Sequence, residues 1–220
     1  MIHILGEQNS IFNTFIAQVR DKSVQTDSMR FRRNLERIGE IMSYEISKTL
    51  NYEQRQVETP LGEAAVEMIS DKIVIATILR AGLPLHQGFL NYYDDAESAF
   101  VSAYRKSSKD GSFKVKVEYI SNCKLEGKTL ILVDPMLATG TSLMLVYDAL
   151  IRRAGEPEHT HFAAIFASEQ GVDYVEKHMN MHSTSCLAIN WLWHKGCGLA
   201  ILKSCVVNDI LNHHCSISHF

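Results

Sequence analysis

Short, almost uninterrupted apolar stretches alternate along the chain with longer segments in which apolar and polar residues mix. Residues 73–79, 129–133 and 162–166 are rich in β-branched and other apolar side chains and are too short for typical helices. Such segments are typical of strands that are buried on both faces of a sheet. They therefore predict the central strands of a largely parallel sheet.

Apolar residues spaced three or four apart predict helices between these strands. The clearest series runs from Phe31 to Leu50 and places its apolar residues on one helix face. The opposite face mixes arginine and glutamate, which we interpret as a solvated face with internal ion pairs rather than a phosphate site. Further helices are predicted over about 143–153 and 172–178, with a short one over 64–70.

Two more segments, 98–104 and 113–120, have strand composition, and the polar link 106–112 has the chemistry of a hairpin or a mobile loop. Residues 1–27 are predicted to be a short initial segment with a polar connection. His159 and His161 flank the strand at 162–166, and we expect both to face solvent. Strands alternating with helices predict an α/β fold, a mostly parallel sheet with helices on both faces.

Composition narrows the classes of function. The net charge is −3, which disfavours a broad nucleic-acid surface. No apolar run approaches the roughly 20 residues needed to cross a bilayer, and the first residues lack the pattern of a secretion signal. The five cysteines follow neither zinc nor disulfide spacing, so we expect a reducing, cytoplasmic compartment.

The composition changes near residue 183. Both tryptophans and four of the five cysteines follow that position. We therefore predict a domain over 1–182 and an atypical tail over 183–220. Histidines and a cysteine at 213–215 are close together in the tail, but their spacing matches no zinc pattern, and we predict no protein metal site.

The segment from Asp134 to Ser142 has the features of a phosphate-binding loop. It follows a buried strand and leads into a predicted helix, at the edge where open α/β sheets place their ligands. Gly140 permits backbone N–H groups to turn inward together, and the helix start adds further donors and partial positive charge. Asp134 would accept hydrogen bonds from sugar hydroxyls. A plain strand-to-helix turn capped by Ser and Thr is the alternative, and a Walker-type loop is excluded because its lysine pattern is absent.

These residues carry a resemblance to a known family. The run V-D-P-M-L-A-T-G-T-S, residues 133–142, resembles the V-D-P-M-L-A-T-G-G-S signature with which uracil phosphoribosyltransferases bind phosphoribosyl pyrophosphate (PRPP), and it departs only at Thr141. The run L-R-A-G-L-P at 79–84 and the pair Tyr104-Arg105 resemble further motifs of the same family. The resemblance covers roughly residues 10 to 180.

The resemblance implies a fold and a reaction. The fold would add a β-hairpin lid and a small hood to the sheet, and the enzyme would convert PRPP and uracil to uridine monophosphate (UMP) and pyrophosphate in pyrimidine salvage. Catalysis would fall to Arg80 and Arg105 on the pyrophosphate and to Asp134 on the ribose, with Mg²⁺ held mainly by PRPP. The residues implied to bind PRPP are Arg80, Arg105, Asp134, Pro135, Met136, Leu137, Ala138, Thr139, Gly140, Thr141 and Ser142.

The resemblance also implies partners. We expect a homodimer or a higher homo-oligomer, and activation by GTP is left open. Neither nucleic acid nor a membrane is an expected partner.

The tail departs from the family. The family's Y-I-V-P-G-L-G-D-A-G-D segment, which recognises uracil, has no counterpart after residue 183, so the uracil-binding residues stay unassigned. Two explanations are open, a shifted reading frame near codon 183 or a divergent tail. Two alternatives to the salvage enzyme follow: a PRPP-binding protein with impaired or no catalysis, and a regulator with the same fold that binds nucleic acid, which the charge disfavours.

Overall fold

The computed structural model describes residues 2–107, 113–121, 123–179 and 185–191. In this part of the chain, a seven-stranded sheet is covered by helices, and a separate two-stranded sheet projects from it. A single 3₁₀ turn spans Leu5–Glu7. The remaining elements, in chain order, are β1 (Ile2–Ile4), α1 (Ile11–Arg20), α2 (Ser28–Ser47), β2 (Tyr52–Thr59), β3 (Gly62–Ile69), β4 (Ile73–Leu79), α3 (Leu83–Leu90), β5 (Glu97–Ser107), β6 (Phe113–Ile120), β7 (Thr129–Leu137), α4 (Thr141–Ala154), β8 (His159–Ala167), α5 (Glu169–Met179) and β9 (Ser185–Trp191).

The large sheet has the strand order β1-β9-β8-β7-β4-β5-β6. All neighbouring strands are parallel except β5 and β6, which form an antiparallel hairpin. The predicted α/β class and mostly parallel sheet are therefore confirmed, and so is the pairing of the segments near 98–104 and 113–120. The tip of that hairpin, 108–112, lies outside the described residues.

The core has two halves, one on each face of the sheet. Successive side chains of a strand point to opposite faces, so Ile131 packs with α1, α2 and α3 whereas Leu132 packs with α4 and α5. Strands β4, β7 and β8 are buried almost throughout because both faces are covered. This double coverage explains the continuous apolar runs in the sequence.

Helix α3 is held against α2 by two glycines. A Cβ atom on Gly88 would lie 2.1 Å from the carbonyl oxygen of Glu36, and one on Gly39 would lie 2.5 Å from that of Leu85. The two backbones therefore approach more closely than any larger residue would permit. This contact fixes the helix that follows β4.

The short helix predicted over 64–70 is wrong. Residues Gly62–Ile69 form β3, which pairs antiparallel with β2 from Tyr52↔Ile69 to Thr59↔Gly62. The physical reason is a period of two rather than 3.6: Ala64, Val66 and Met68 share one face of the hairpin, and Glu63 and Glu67 lie on the other. The neighbouring β2, which we did not predict, supplies the partner strand.

Residues 1–27 contain more structure than predicted. Helix α1 begins after Ser10, whose side chain accepts a hydrogen bond from the N–H of Phe12, and it buries Phe12, Ile16 and Val19. That spacing is a helical signal that the sequence already carried. At the other end, β9 lies inside the sheet beyond the expected boundary at residue 183. The division into a 1–182 domain and a tail stays a prediction.

The expected solvent exposure of His161 is also wrong. Strand β8 begins at His159 rather than at 162, so His161 lies between β7 and β9 with only 6% of its surface exposed, whereas His159 is half-buried. The Nδ1 atom of His161 has no hydrogen-bond partner among the described residues. Burial is the main cause that lowers the pKa of His161 to about 4, with His159 and His3 acting in the same direction and Asp71 opposing them.

This burial predicts a pH dependence of stability. In the unfolded chain a histidine has a pKa of about 6.5, so between about pH 6.5 and pH 4 the unfolded state binds a proton that the folded state does not. Stability should therefore fall as the pH falls through this window, by roughly 3 kcal/mol for this group. Urea unfolding at pH 7 and pH 4.5 should show a smaller loss for His161→Phe than for the wild type.

The matched control is Phe162→Leu, which perturbs the adjacent core position without removing a titrating group. It should lower stability at both pH values and keep the wild-type difference between them. An unchanged pH difference in His161→Phe would contradict the assignment.

Candidate active site

The centre of the sheet contains a point at which the chain diverges to opposite faces. Strands β4 and β7 are parallel neighbours, with Thr77 opposite Val133 at the last paired position. The chain leaves β4 into α3 on one face and leaves β7 into α4 on the other. In open α/β sheets, ligands bind in the crevice that forms at the carboxyl ends of such a strand pair. Arg80 and Asp134 both lie at this edge.

Strand β7 continues further into the candidate loop than predicted. Asp134, Met136 and Leu137 pair with β8, so the loop itself is shortened to residues 138–140. Pro135 is tolerated inside the strand because the pairing with β4 has ended at Val133, and a missing N–H removes no hydrogen bond on that side. The extension sets Asp134, which is half-buried, on a strand rather than on a loop.

The loop has the backbone conformation that the glycine predicted. Gly140 has φ +74°, in the left-handed region, and stands at the N-terminus of the 14-residue helix α4. Among the described residues, no side chain caps this helix start. Thr139 and Thr141 are exposed, and the Thr139 hydroxyl donates to Thr141 Oγ1 at 3.3 Å. The half-buried Ser142 follows in the first turn.

This arrangement suits an anion. Unpaired N–H groups and the positive end of a long helix attract negative charge, and adjacent hydroxyls add further donors. The loop therefore has the chemistry of a phosphate site without requiring a lysine.

The loop after β4 forms a second, tight turn. The Leu79–Arg80 peptide bond is cis. The N–H of Gly82 donates to Ile78 O at 3.2 Å and that of Leu83 donates to Arg80 O at 3.2 Å. Helix α3 starts at once, with a proline in its first turn. Arg80 is exposed at this turn and lies at the same sheet edge as Asp134.

Thr77 links the two turns, and the sequence reading missed it. Its hydroxyl donates to Val133 O at 3.2 Å, one residue before Asp134. On the other side, a Cβ on Gly82 would lie 1.9 Å from Thr77 Oγ1. Thr77 is fully buried and is the one hydroxyl in the apolar run 73–79, a signal that could have identified it.

The remaining predicted residues are only partly described. The backbone of Arg105 lies in β5 opposite Val115, three residues beyond the Ser102 that pairs with Leu79. Its side chain is not among those that the structure describes. The tail after residue 191, including the histidines at 213, 214 and 219, also lies outside the described residues.

In the described residues, no helix is long and apolar enough to cross a membrane. Within the same residues, no group of three or more histidine, cysteine, aspartate or glutamate side chains is placed to hold a metal ion.

Comparison with known families gives a match over most of the chain. A family model described as uracil phosphoribosyltransferase matches residues 7–191. Curated proteins with the name uracil phosphoribosyltransferase are similar as well. The one from Porphyromonas gingivalis is 51% identical over 188 residues, 86% of either chain, and the one from Methanothermobacter thermautotrophicus is 36% identical over 169 residues, 76% of either chain.

Solved structures show the same fold. The AQ2163 protein from Aquifex aeolicus superposes with a TM-score of 0.75 at 23% identity, covering 87% of this chain and 86% of that one. At this identity the likeness concerns the fold alone. The α/β architecture is thereby supported independently of the sequence motifs.

The contact between Thr77 and Gly82 predicts a coupled pair of substitutions. Gly82→Ala should lower the free energy of unfolding by about 2 kcal/mol because its Cβ would overlap Thr77 Oγ1. In a Thr77→Ala background the same change should be less harmful, since the obstructing hydroxyl is gone. A double-mutant cycle from urea unfolding should give a coupling of about 1 kcal/mol or more. Strict additivity of the two changes would contradict the contact.

Proposed function

This chain belongs to the uracil phosphoribosyltransferase family, and we propose that it binds PRPP in the crevice between β4 and β7. It is a transferase that passes the phosphoribosyl group of PRPP to uracil, giving UMP and pyrophosphate in pyrimidine salvage. The main support for the proposed site is the position of the Gly140 loop at a helix start, beside the Arg80 turn. Together they offer two separate places for negative charge at one sheet edge.

The loop from Ala138 to Ser142 would bind the 5′-phosphate. Its left-handed glycine and uncapped helix start support this assignment, since both direct N–H donors towards an anion. The hydroxyls of Thr139, Thr141 and Ser142 would supply further donors. Thr141, where the family signature has glycine, is exposed, and the preceding Gly140 keeps a left-handed φ of +74° beside it.

Asp134 would orient the ribose. A half-buried carboxylate at the end of a strand can accept hydrogen bonds from two neighbouring hydroxyls and hold the sugar in one orientation. Pro135, Met136 and Leu137 continue β7 from Asp134 towards the phosphate loop and would set the distance between ribose and phosphate sites. Such positioning is a large part of catalysis when two substrates must align.

Arg80 and Arg105 would stabilise the departing pyrophosphate. Displacement at the anomeric carbon develops positive charge on the sugar and negative charge on the leaving group. Fixed cations beside the leaving group lower the energy of that transition state. The exposed position of Arg80 beside the crevice supports its part, and the family motif supports that of Arg105.

Mg²⁺ would accompany PRPP. The carboxylate of Asp134 and the hydroxyls of the loop are hard oxygen donors of the type that this ion prefers, so the site fits it. Most of its ligands would come from the oxygens of PRPP. When bound, the ion would neutralise negative charge on the pyrophosphate.

We also propose a cytoplasmic homodimer or higher homo-oligomer. The hairpin β2–β3 supports self-association because Val57, Val66 and Met68 are exposed together on one face in the single chain, beside the Arg55–Glu53 ion pair. A two-stranded hairpin is seldom stable when it stands alone. Activation by GTP is a further possibility that family membership raises, and titration with GTP during turnover would reveal it.

The tail after residue 183 is the reason for a second candidate function. Because the family's uracil-recognition segment is absent after residue 183, a chain that binds PRPP without turnover is the second candidate. Mixing the chain with PRPP, Mg²⁺ and labelled uracil and measuring UMP separates the two. Sequencing of the gene around codon 183 would show whether a one-base shift restores the family segment.

Substitution of Asp134 tests the proposed site. Asp134→Asn keeps the shape but loses the charge that aligns the ribose hydroxyls, and we expect kcat/KM for UMP formation to fall by about a hundredfold. The matched control is Asp95→Asn, an exposed aspartate in the turn before β5, at the opposite edge of the sheet. The control should keep wild-type activity. Equal activity of both variants would contradict the role of Asp134.

A further inference from the structure

We propose that Ser168, with the first turns of α5, holds the phosphate loop in its binding conformation. We use the name α5 clamp for Ser168, Gly171 and Tyr174. These side chains and backbone groups contact the loop from the side of the sheet that α5 covers, and they act as positioning residues. The inference rests on the proposed function, because the loop they hold is the proposed 5′-phosphate site.

Two hydrogen bonds of Ser168 join the start of α5 to the end of β7 and to the loop. Its backbone N–H donates to Leu137 O at 2.9 Å, and its hydroxyl donates to Ala138 O. The same Oγ accepts from the N–H of Gly171 at 3.0 Å, so Ser168 is also the N-cap of α5. Both the donor and an acceptor site of one hydroxyl are therefore engaged.

The two carbonyl contacts decide where the loop's donors point. In a trans peptide the C=O and the N–H point in opposite directions. Because Ser168 engages the carbonyls of Leu137 and Ala138, the N–H groups of Ala138 and Thr139 are directed away from α5. A loop whose carbonyls turned the other way would present negative ends of its dipoles to a phosphate. Ser168 thus selects the peptide orientation that an anion requires.

Gly171 permits this close approach. A Cβ at this position would lie 2.7 Å from Leu137 O and 2.8 Å from Ala138 O, so any larger residue would displace the loop. Glycine is required at position 171 for lack of space, because a larger residue would collide with two backbone oxygens.

Gly140 and Tyr174 form the other half of the contact. A Cβ on Gly140 would lie 2.9 Å from Gly171 O and 2.8 Å from Tyr174 Cδ1. The Tyr174 ring stacks on His178 with centroids 3.9 Å apart, and His178 Nδ1 lies 2.7 Å from Tyr174 O. The Tyr174 ring therefore contacts His178 and also packs against Gly140 at the start of α4.

Ser168→Ala tests the clamp by removing the hydroxyl and leaving Ala138 O without that donor. We expect the dissociation constant for PRPP with Mg²⁺, measured by calorimetry on the full chain, to rise about tenfold. In turnover, KM for PRPP should rise by a similar factor while KM for uracil stays within about twofold of the wild type. Ser168→Thr, which keeps a hydroxyl, should restore PRPP binding.

Two further variants distinguish positioning from general destabilisation. Ser47→Ala removes a comparable hydroxyl, which donates to Tyr44 O at 2.7 Å at the end of α2, and it should leave PRPP binding unchanged. Gly171→Ala should weaken PRPP binding at least as much as Ser168→Ala because its Cβ would push on the same two carbonyls.

These experiments distinguish a failure of the α5 clamp from a failure of the proposed function. Wild-type PRPP affinity in both Ser168→Ala and Gly171→Ala would overturn the clamp while leaving the proposed function intact. A failure of Ser168→Thr to restore binding would also overturn it. A wild-type chain that takes up no PRPP would overturn the proposed function and the clamp together.

Discussion

The parallel pairing of β4 with β7 determines where the two candidate binding loops meet. It ends at Thr77 opposite Val133, and it brings the two loops that follow to the same sheet edge. Because α3 and α4 lie on opposite faces, those loops diverge and leave a crevice between them. A cation on one loop and a helix start on the other then border one space. This arrangement is the one that the proposed PRPP site needs.

The sequence predicted the parts of the fold whose signal is local and strong. Strands buried on both faces produce apolar runs, and the run at 73–79 coincides with β4. Prediction was wrong where the period of the pattern was ambiguous over a few residues, as in β3, or where a strand extended beyond its apolar part, as in β7 and β8. Tertiary pairing decides such cases, since β8 supplies the partner that carries β7 on to Leu137.

The parts of the site that could be predicted from the sequence are those that follow from one residue and its immediate neighbours. The left-handed conformation of Gly140 and its place before a helix followed from the residue and its neighbours. The roles of Thr77 and Ser168 could not be predicted in this way, because both residues are separated from the loop in sequence and act through backbone carbonyls. A hydroxyl in an apolar strand or a serine before a helix has many ordinary explanations, and only the folded contacts distinguish them.

The most direct measurement is backbone hydrogen exchange with and without PRPP and Mg²⁺, analysed by segment. If the crevice between β4 and β7 binds PRPP, exchange should slow at residues 138–144 and at the turn 80–83, and it should stay unchanged in the β2–β3 hairpin. Exchange that is unaffected in both of those segments at saturating PRPP, or protection confined to another part of the chain, would contradict the account.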